Sequence, residues 1–180
     1  MQELINSCVK QNRQAQEALY NLYSKTLFVL SLKYCSNEKE AEDNLHNSFI
    51  EIFTNIKKFD NKGSFEGWMK RITINKAITS YKKSYRLEQL RDDYQDEIFV
   101  ADDDINCSLD QLLKIIQELP NQYRLVFNLY ELDDYSHLQI AAMLSISEST
   151  SKSNLHRAKQ ILKDKLLLKG DGHKTLKNGK

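Results

Sequence analysis

Apolar residues in the first half of the chain recur every three or four positions, the spacing that places side chains on one face of an α-helix. This pattern predicts three helices, at residues 14–34, 38–58 and 64–85. Asn37 and Ser64 stand at the starts of two of them, where a short polar side chain caps free backbone amides. A polar turn at 61–64 precedes the third helix. Residues 1–91 therefore predict one helical domain.

The middle of the chain changes character. Seven acidic residues fall within 92–107 with little apolar periodicity, which indicates a flexible acidic linker. Helical patterns resume at 108–169, where Pro120 separates two short helices because its ring cannot continue a helix. These short helices are predicted near 109–116 and 124–132. The last residues, 170–180, are basic and lack an apolar period, so we expect a disordered tail.

A tight turn joins the last two predicted helices. The first of them opens with a Ser-x-x-Gln capping box, Ser136 to Gln139. The second begins after a turn of about three residues, at Ser147 or, by a competing cap, at Ser145. Two helices joined in this way predict a helix-turn-helix. The predicted fold class is all-α: two helical domains joined by a flexible acidic linker, with the helix-turn-helix in the C-terminal domain.

Composition narrows the classes of function. The formal net charge is only +1, so any contact with nucleic acid must come from local charge. The three cysteines are far apart and outside any C-x-x-C pattern, which argues against a zinc site or a disulfide scaffold. The histidines are scattered and no Gly-rich phosphate loop occurs, so we expect no enzyme, cofactor or metal site. Without a signal peptide or an apolar run of roughly 20 residues, we expect a cytoplasmic protein rather than a membrane protein.

The final helix is rich in groups that contact DNA. Hydroxyl side chains near its start can approach base edges, and cations farther along can meet phosphates. A basic helix alone is more often a solvated surface, but the capped helix and tight turn before this one favour DNA contact. The candidate residues are Ser149, Thr150, Lys152, Ser153, Asn154, His156, Arg157 and Lys159.

The third helix combines cations with aromatic rings. Cations can follow a phosphate backbone, and rings can stack on unpaired bases, worth about 1–3 kcal/mol per base. Aromatic residues at helical spacing more often pack in a core, so Phe65 and Trp68 can serve either role or both. The cations are Lys70, Arg71, Lys76, Lys82, Lys83, Arg86 and Arg91, and the rings are Phe59, Phe65, Trp68, Tyr81 and Tyr85.

The second helix carries the opposite charge. Its outer side is acidic and polar, which excludes contact with DNA but leaves two interpretations open, a solvated surface or a face for a protein partner. The residues concerned are Glu40, Glu42, Asp43, His46, Asn47 and Glu51.

Several short segments occur in a specific order along the chain. In the first domain they are Leu19–Tyr23, Ala41–Asp43, Phe49–Ile50, Phe65–Ile72 and Asn75–Ile78. In the second domain they are Leu119–Pro120, Arg124–Phe127, Ile140–Ala141, Ser149–Ser153 and Arg157–Lys159. In this order and spacing they resemble regions 2 and 4 of the extracytoplasmic-function (ECF) sigma factors of the sigma-70 family. The resemblance covers about residues 15–168.

The resemblance implies a transcription initiation factor that binds core RNA polymerase, directs it to promoters and assists promoter melting. In that family region 2 binds the clamp helices of polymerase. The residues at the matching positions here are Glu42, Asp43, His46, Asn47, Phe49 and Ile50. Region 2 also opens the −10 element and captures a flipped base. The resemblance places this role on Asn61, Lys62, Ser64, Phe65, Trp68, Lys70, Arg71, Asn75 and Lys76. Region 4 reads the −35 element with the candidate residues of the final helix. An anti-sigma factor is a partner that such proteins often have, and no small-molecule substrate is implied.

Some residues depart from the family pattern. His46 and Asn47 stand where the family usually has Gln and an acid. Ser145 replaces the common turn glycine and Ser151 an apolar residue, so we expect the recognition helix to pack less firmly. Two other functions fit parts of the sequence. A stand-alone helix-turn-helix regulator would normally dimerise on a palindrome, and a helical adaptor without a DNA role is disfavoured by the segregation of charge.

Overall fold

The structure is a computed structural model that describes residues 1–89 and 109–171. These ranges contain helices and turns and no strand, as the predicted all-α class requires. The chain divides into two compact units, Met1–Lys83 and Ser84–Lys180. The expected linker at 92–107 lies outside the described residues, as does 172–180 of the expected tail. No helix within the described ranges is both long enough and apolar enough to cross a membrane.

The helices of the first unit follow the predicted order, with one addition at the start. They are α1 (Gln2–Val9), α2 (Arg13–Tyr34), α3 (Glu38–Asn55), a 3-10 turn (Ile56–Lys58) and α4 (Phe65–Gln89), of which residues 65–83 belong to this unit. The sequence pattern missed α1 because this short helix buries only Ile5 and Cys8, too few positions to show a period. The predicted second helix ends early because its last turn tightens into the 3-10 turn.

Polar side chains cap these helices, two of them, Asn37 and Ser64, as the sequence predicted. Asn37 Oδ1 accepts a hydrogen bond from Glu40 N at 2.9 Å, which confirms the cap of α3. Ser64 Oγ accepts one from Gly67 N at 3.0 Å at the start of α4. Asn12 caps α2 by accepting from Ala15 N at 3.0 Å. Each cap satisfies one of the amides that a helix start leaves without an intrahelical partner.

A buried amide links three helices inside the first unit. Asn44 on α3 donates from Nδ2 to Ser31 Oγ on α2 at 3.0 Å and to the Thr73 carbonyl on α4 at 3.3 Å. Ser31 in turn donates to the Leu27 carbonyl at 2.9 Å. The side chains of Asn44, Ser31 and Thr73 are all buried. Since an unpaired amide would be costly here, the network favours one relative placement of the three helices.

The second unit also contains the predicted helices, with shifted bounds. They are α5 (Leu109–Gln117), α6 (Asn121–Phe127), a π-helical turn (Asn128–Leu132), α7 (His137–Leu144) and α8 (Glu148–Asp171). The single helix expected at 124–132 is wrong in two respects, since it begins at Asn121 and ends in a wider π-helical turn. Helix α8 also runs two residues into the segment expected to be disordered.

The helix-turn-helix has the predicted caps. Ser136 and Gln139 form the complete capping box of α7, each side chain bonding the other residue's backbone amide. Ser147 Oγ accepts from Thr150 N at 3.0 Å, so Ser147 rather than Ser145 caps α8. Ser145 closes α7 in the left-handed conformation, with φ 59° and ψ 44°. The residue that replaces the family's usual glycine therefore still adopts the backbone that glycine favours.

Candidate DNA and polymerase interfaces

The outward face of α8 carries most of the predicted −35 residues. Ser149, Lys152, Ser153, His156, Arg157 and Lys159 are exposed, and Thr150 is half-buried. Asn154 is an exception: it is only 5% exposed, and its side-chain nitrogen has no hydrogen-bond partner within the described residues. Asn154 therefore lies in the interior, contrary to its expected place on the DNA-facing surface, because residue 154 falls on the same helical face as the buried Ser151 and Ala158.

The cations of α8 have different partners. Lys152 pairs with Glu148 one turn earlier at 2.8 Å, and Lys159 reaches across to Glu131 of the π-helical turn at 2.7 Å. The bond from Lys152 lowers the pKa of the Glu148 carboxyl. Arg157 instead donates from Nη1 to the phenol oxygen of Tyr123 at 3.0 Å, and this bond raises the pKa of the guanidinium. Only the arginine of these three cations is held by a neutral group.

Ser151 joins the two helices of the helix-turn-helix. Its side chain is fully buried, and its Oγ lies 2.9 Å from Nδ1 of His137 at the start of α7. The His137 ring stacks on Tyr130 with centroids 4.4 Å apart. A polar bond to His137 therefore holds this position where the family usually packs an apolar side chain, and a pattern of apolar residues alone does not reveal such a bond.

Aromatic rings hold both ends of the loop before α4. Phe59 precedes the loop and Phe65 follows it, with ring centroids 5.0 Å apart, and Trp68 lies 5.7 Å from Phe59 and 5.5 Å from Phe65. Within the loop, Asn61 and Gly63 adopt positive φ values of 60° and 99°. Rings packed on both sides fix where the loop begins and ends, and the loop residues project into solvent.

The predicted −10 residues divide between surface and interior. Asn61, Lys62, Ser64, Arg71 and Asn75 are exposed, while Trp68, Lys70 and Lys76 are half-buried. Phe65 is only 6% exposed, so of the two roles left open for it the structure supports the core. Lys62 pairs with Asp60 at 3.2 Å, Lys70 with Glu66 at 2.6 Å, and Lys76 with Glu51 of α3 at 2.9 Å.

The outer side of α3 presents an acidic and polar surface with one apolar residue on it. Glu42, Asp43, His46 and Asn47 are exposed. The side chain of Ile50, next to them, is 65% exposed. Phe49 is 3% exposed and packs on Tyr20 at a centroid distance of 4.6 Å, so it supports this surface from inside and cannot itself be an outer contact.

Comparison with known proteins assigns both units. The family model "Sigma-70 region 2" matches residues 19–87, and the model "Sigma-70, region 4" matches residues 109–162. The ECF RNA polymerase sigma factor SigE of Mycolicibacterium smegmatis is 27% identical over 160 residues, which cover 83% of this chain and 61% of that protein. The ECF RNA polymerase sigma factor SigW of Bacillus subtilis is 26% identical over 184 residues, covering 92% of this chain and 98% of that protein.

A solved structure shares the fold. The sigma factor RpoE, in complex with the anti-sigma factor NepR from Bartonella quintana, covers 83% of this chain with a TM-score of 0.54 and 19% identity. A region 2 unit followed by a region 4 unit with a helix-turn-helix defines the class of sigma factors, which serve RNA polymerase in transcription initiation. The chain belongs to the sigma-70 family, and its relatives place it among the ECF sigma factors.

Proposed function

We propose that this chain is a promoter-specific transcription initiation factor that binds core RNA polymerase through its first unit and reads promoter DNA with both units. The observation that carries the proposal is the order of the two matched regions, with region 2 at 19–87 and region 4 at 109–162. Each region carries surface chemistry suited to a different partner. A stand-alone helix-turn-helix regulator would have no use for the region 2 unit.

Helix α8 is the proposed reader of the −35 element. A helix of this kind enters the major groove, where short hydroxyl groups reach base edges and cations meet the flanking phosphates. Ser149, Thr150 and Ser153 supply the hydroxyl groups, and Lys152 and Arg157 supply exposed charge. Of the residues expected from the sequence, Asn154 is left out because it is buried, and the exposed His156 and Lys159 remain on the same helix.

The loop before α4 and the exposed side of α4 are the proposed −10 contacts. The aromatic rings anchor the loop at both ends. The backbone that carries Asn61 and Lys62 therefore has restricted freedom. Anchoring favours capture of an unpaired base because less conformational entropy is lost on binding. Arg71 and Asn75 then extend this surface along the helix.

The acidic side of α3 is the proposed polymerase contact. Glu42 and Asp43 give it negative charge, and the exposed Ile50 gives it an apolar anchor of the kind found at the centres of protein interfaces. We assign the clamp helices of polymerase to this face, and an anti-sigma factor is a further partner. In this role the chain has no catalytic activity of its own and acts in the cytoplasm, where the chromosome is.

Run-off transcription tests the proposal directly. The purified chain is added to bacterial core polymerase that is free of other sigma factors, on a pool of promoter fragments from the source genome. Discrete start sites that require the chain are the expected result, and they map both promoter elements. If the chain binds duplex DNA and yet yields no transcripts with core polymerase, the initiation-factor assignment is overturned.

A further inference from the structure

The bond between Tyr123 and Arg157 joins two helices on the DNA-facing side of the second unit. Arg157 projects from the exposed face of α8, and Tyr123 lies on α6, outside the helix-turn-helix. The sequence offers no signal for this pair, because the two residues are 34 positions apart. The expected DNA contacts of this unit include no residue of α6.

The chemistry of the pair leaves two donors available. A guanidinium group carries donors only, so the phenol oxygen of Tyr123 must be the acceptor of the 3.0 Å bond. The hydroxyl hydrogen of Tyr123 is not used by this bond, and it has no acceptor within the described residues. Donation from a cation also polarises the O–H group and makes it a stronger donor. The remaining N–H groups of Arg157 and the hydroxyl hydrogen are therefore free for one anion.

Tyr123 is held firmly in this position. Its ring packs against the apolar cluster of Ile115, Ile116, Leu119, Ala158 and Leu162. The neighbouring Arg124 is buried and donates to the carbonyls of Gln117 and Leu119, at 2.8 and 3.1 Å, which secures the turn between α5 and α6. The hydroxyl group thus has little freedom to lose when a ligand binds.

The charge around Arg157 also favours an anion. Lys152 and Lys159 each hold a carboxylate, and an incoming phosphate must compete with it. The partner of Arg157 is a neutral phenol, so its full charge is available. Unlike Lys152 and Lys159, Arg157 therefore has no carboxylate that an approaching phosphate must displace.

We propose that Tyr123 and Arg157 together form a binding site for one phosphodiester group of the DNA backbone. The hydroxyl hydrogen of Tyr123 and a free N–H of Arg157 donate to oxygens of the same phosphate. The contact surface of the second unit then extends from α8 onto α6. The inference rests on the proposed function, because it assumes that this face of α8 lies on DNA.

The test uses the full chain assembled with core polymerase and a duplex promoter fragment mapped by run-off transcription. Affinity is measured over a salt series for the wild type, Tyr123→Phe, Arg157→Ala and the double variant. Tyr123→Phe should lower affinity about threefold to tenfold without changing the salt dependence, since a phenol carries no charge. Arg157→Ala should lower affinity and also reduce the slope of log affinity against log salt by about 0.9.

The double variant separates direct contact from mere positioning. If Tyr123 donates to the phosphate itself, its replacement by Phe still weakens binding when Arg157 is already Ala. If the effect vanishes in that background, Tyr123 acts only through Arg157 and the shared site is wrong. Tyr135→Phe is the matched control, as it removes a hydroxyl from the same unit and should leave affinity unchanged. Equal thermal unfolding of the phenylalanine variants excludes misfolding as the cause.

The inference and the proposed function fail in different ways. Promoter binding that depends on Arg157 but ignores Tyr123→Phe overturns the shared phosphate site and leaves the initiation factor intact. Absence of promoter binding by the wild-type assembly overturns both.

Discussion

Glu51 on α3 and Lys76 on α4 form an ion pair with 2.9 Å between Oε2 and Nζ. The other carboxylate oxygen of Glu51 accepts from Asn55 Nδ2 at 2.6 Å, so the acid is held from both sides. This pair connects the helix that we assign to polymerase with the helix that we assign to the −10 element. Lys76 therefore meets DNA only in competition with Glu51, and the two faces are electrostatically coupled.

The pair makes stability depend on pH in a defined direction. The hydrogen bond and charge of Lys76, assisted by Asn55, lower the pKa of Glu51 below its ordinary value of 4.5. A carboxyl whose folded-state pKa is lowered stabilises the fold above its unfolded pKa, and this contribution is lost as the pH falls through the folded value. Glu51→Gln should therefore lower the free energy of unfolding at neutral pH by less than about 1 kcal/mol, because the pair is partly exposed.

Urea unfolding measures this difference in the first unit alone, since Trp68 is the only tryptophan of the chain and its fluorescence reports that unit. The gap between wild type and Glu51→Gln should close in acid, where Glu51 is protonated in both states. Glu17→Gln, at an exposed position of α2, is the control. A gap that persists in acid would assign the loss to packing rather than charge.

The buried amide of Asn44 gives a second prediction for the same unit. Asn44→Ala leaves Ser31 Oγ and the Thr73 carbonyl without this donor and opens a small cavity. We expect it to lower the free energy of unfolding by about 2 kcal/mol, typical for a broken buried network. Asn47→Ala, an exposed residue one turn farther along α3, should change it by less than about 0.5 kcal/mol. Equal losses in the two variants would mean that the network contributes nothing.

How far the sequence predicts this architecture depends on the range of the interactions. The caps at Asn37, Ser64 and Ser136 are predictable because a cap joins residues only three positions apart. The pairs Glu66–Lys70 and Glu148–Lys152 lie one helical turn apart and are open to the same kind of prediction.

Contacts between elements leave no comparable signal. Glu131 with Lys159, Glu51 with Lys76 and Tyr123 with Arg157 come together only when the helices pack. The burial of Asn154 escapes prediction for a related reason, since polar residue types predict exposure unless a neighbouring helix covers them. The family resemblance therefore locates the candidate surfaces in outline, and the side-chain partners on them require the packed structure.

Gly67 and Ser64 should be energetically coupled. A Cβ placed on Gly67 would lie 2.9 Å from Ser64 Oγ, the atom that caps α4, so Gly67→Ala must push the cap away. In the wild-type background we expect a net loss, because losing a cap costs about 1 kcal/mol and outweighs the gain in helix propensity near a helix end. In a Ser64→Ala background no cap remains to be displaced, so the same change should be neutral or stabilising. Additive effects across the four proteins, followed by Trp68 fluorescence in urea, would argue against the steric coupling.

The two proposed interfaces should separate genetically, since they lie in different units. The variants are chosen from exposed residues, which excludes the buried Phe49 and Asn154, whose replacement would test folding instead. Asp43→Ala combined with Ile50→Ala removes both a charge and the apolar anchor from α3. This variant should bind core polymerase at least about fivefold more weakly, because truncating an anchor residue of an interface costs about 1 kcal/mol or more.

Lys152→Ala combined with Arg157→Ala should impair promoter recognition and leave the binding of core polymerase unchanged. It removes exposed charge from α8, so promoter-directed run-off transcription should fall by at least about tenfold, with the loss greater at higher salt. Its affinity for core polymerase, measured by the fluorescence anisotropy of the labelled chain, should match that of the wild type. Lys25→Ala on α2 is the control, because it removes a positive charge outside the proposed interfaces and should change neither activity. Because α3 and α8 belong to separate compact units, a variant that lost both activities while keeping its helical content would contradict the division of labour between them. Loss of core binding by the α8 variant alone would instead place a polymerase contact on the helix-turn-helix.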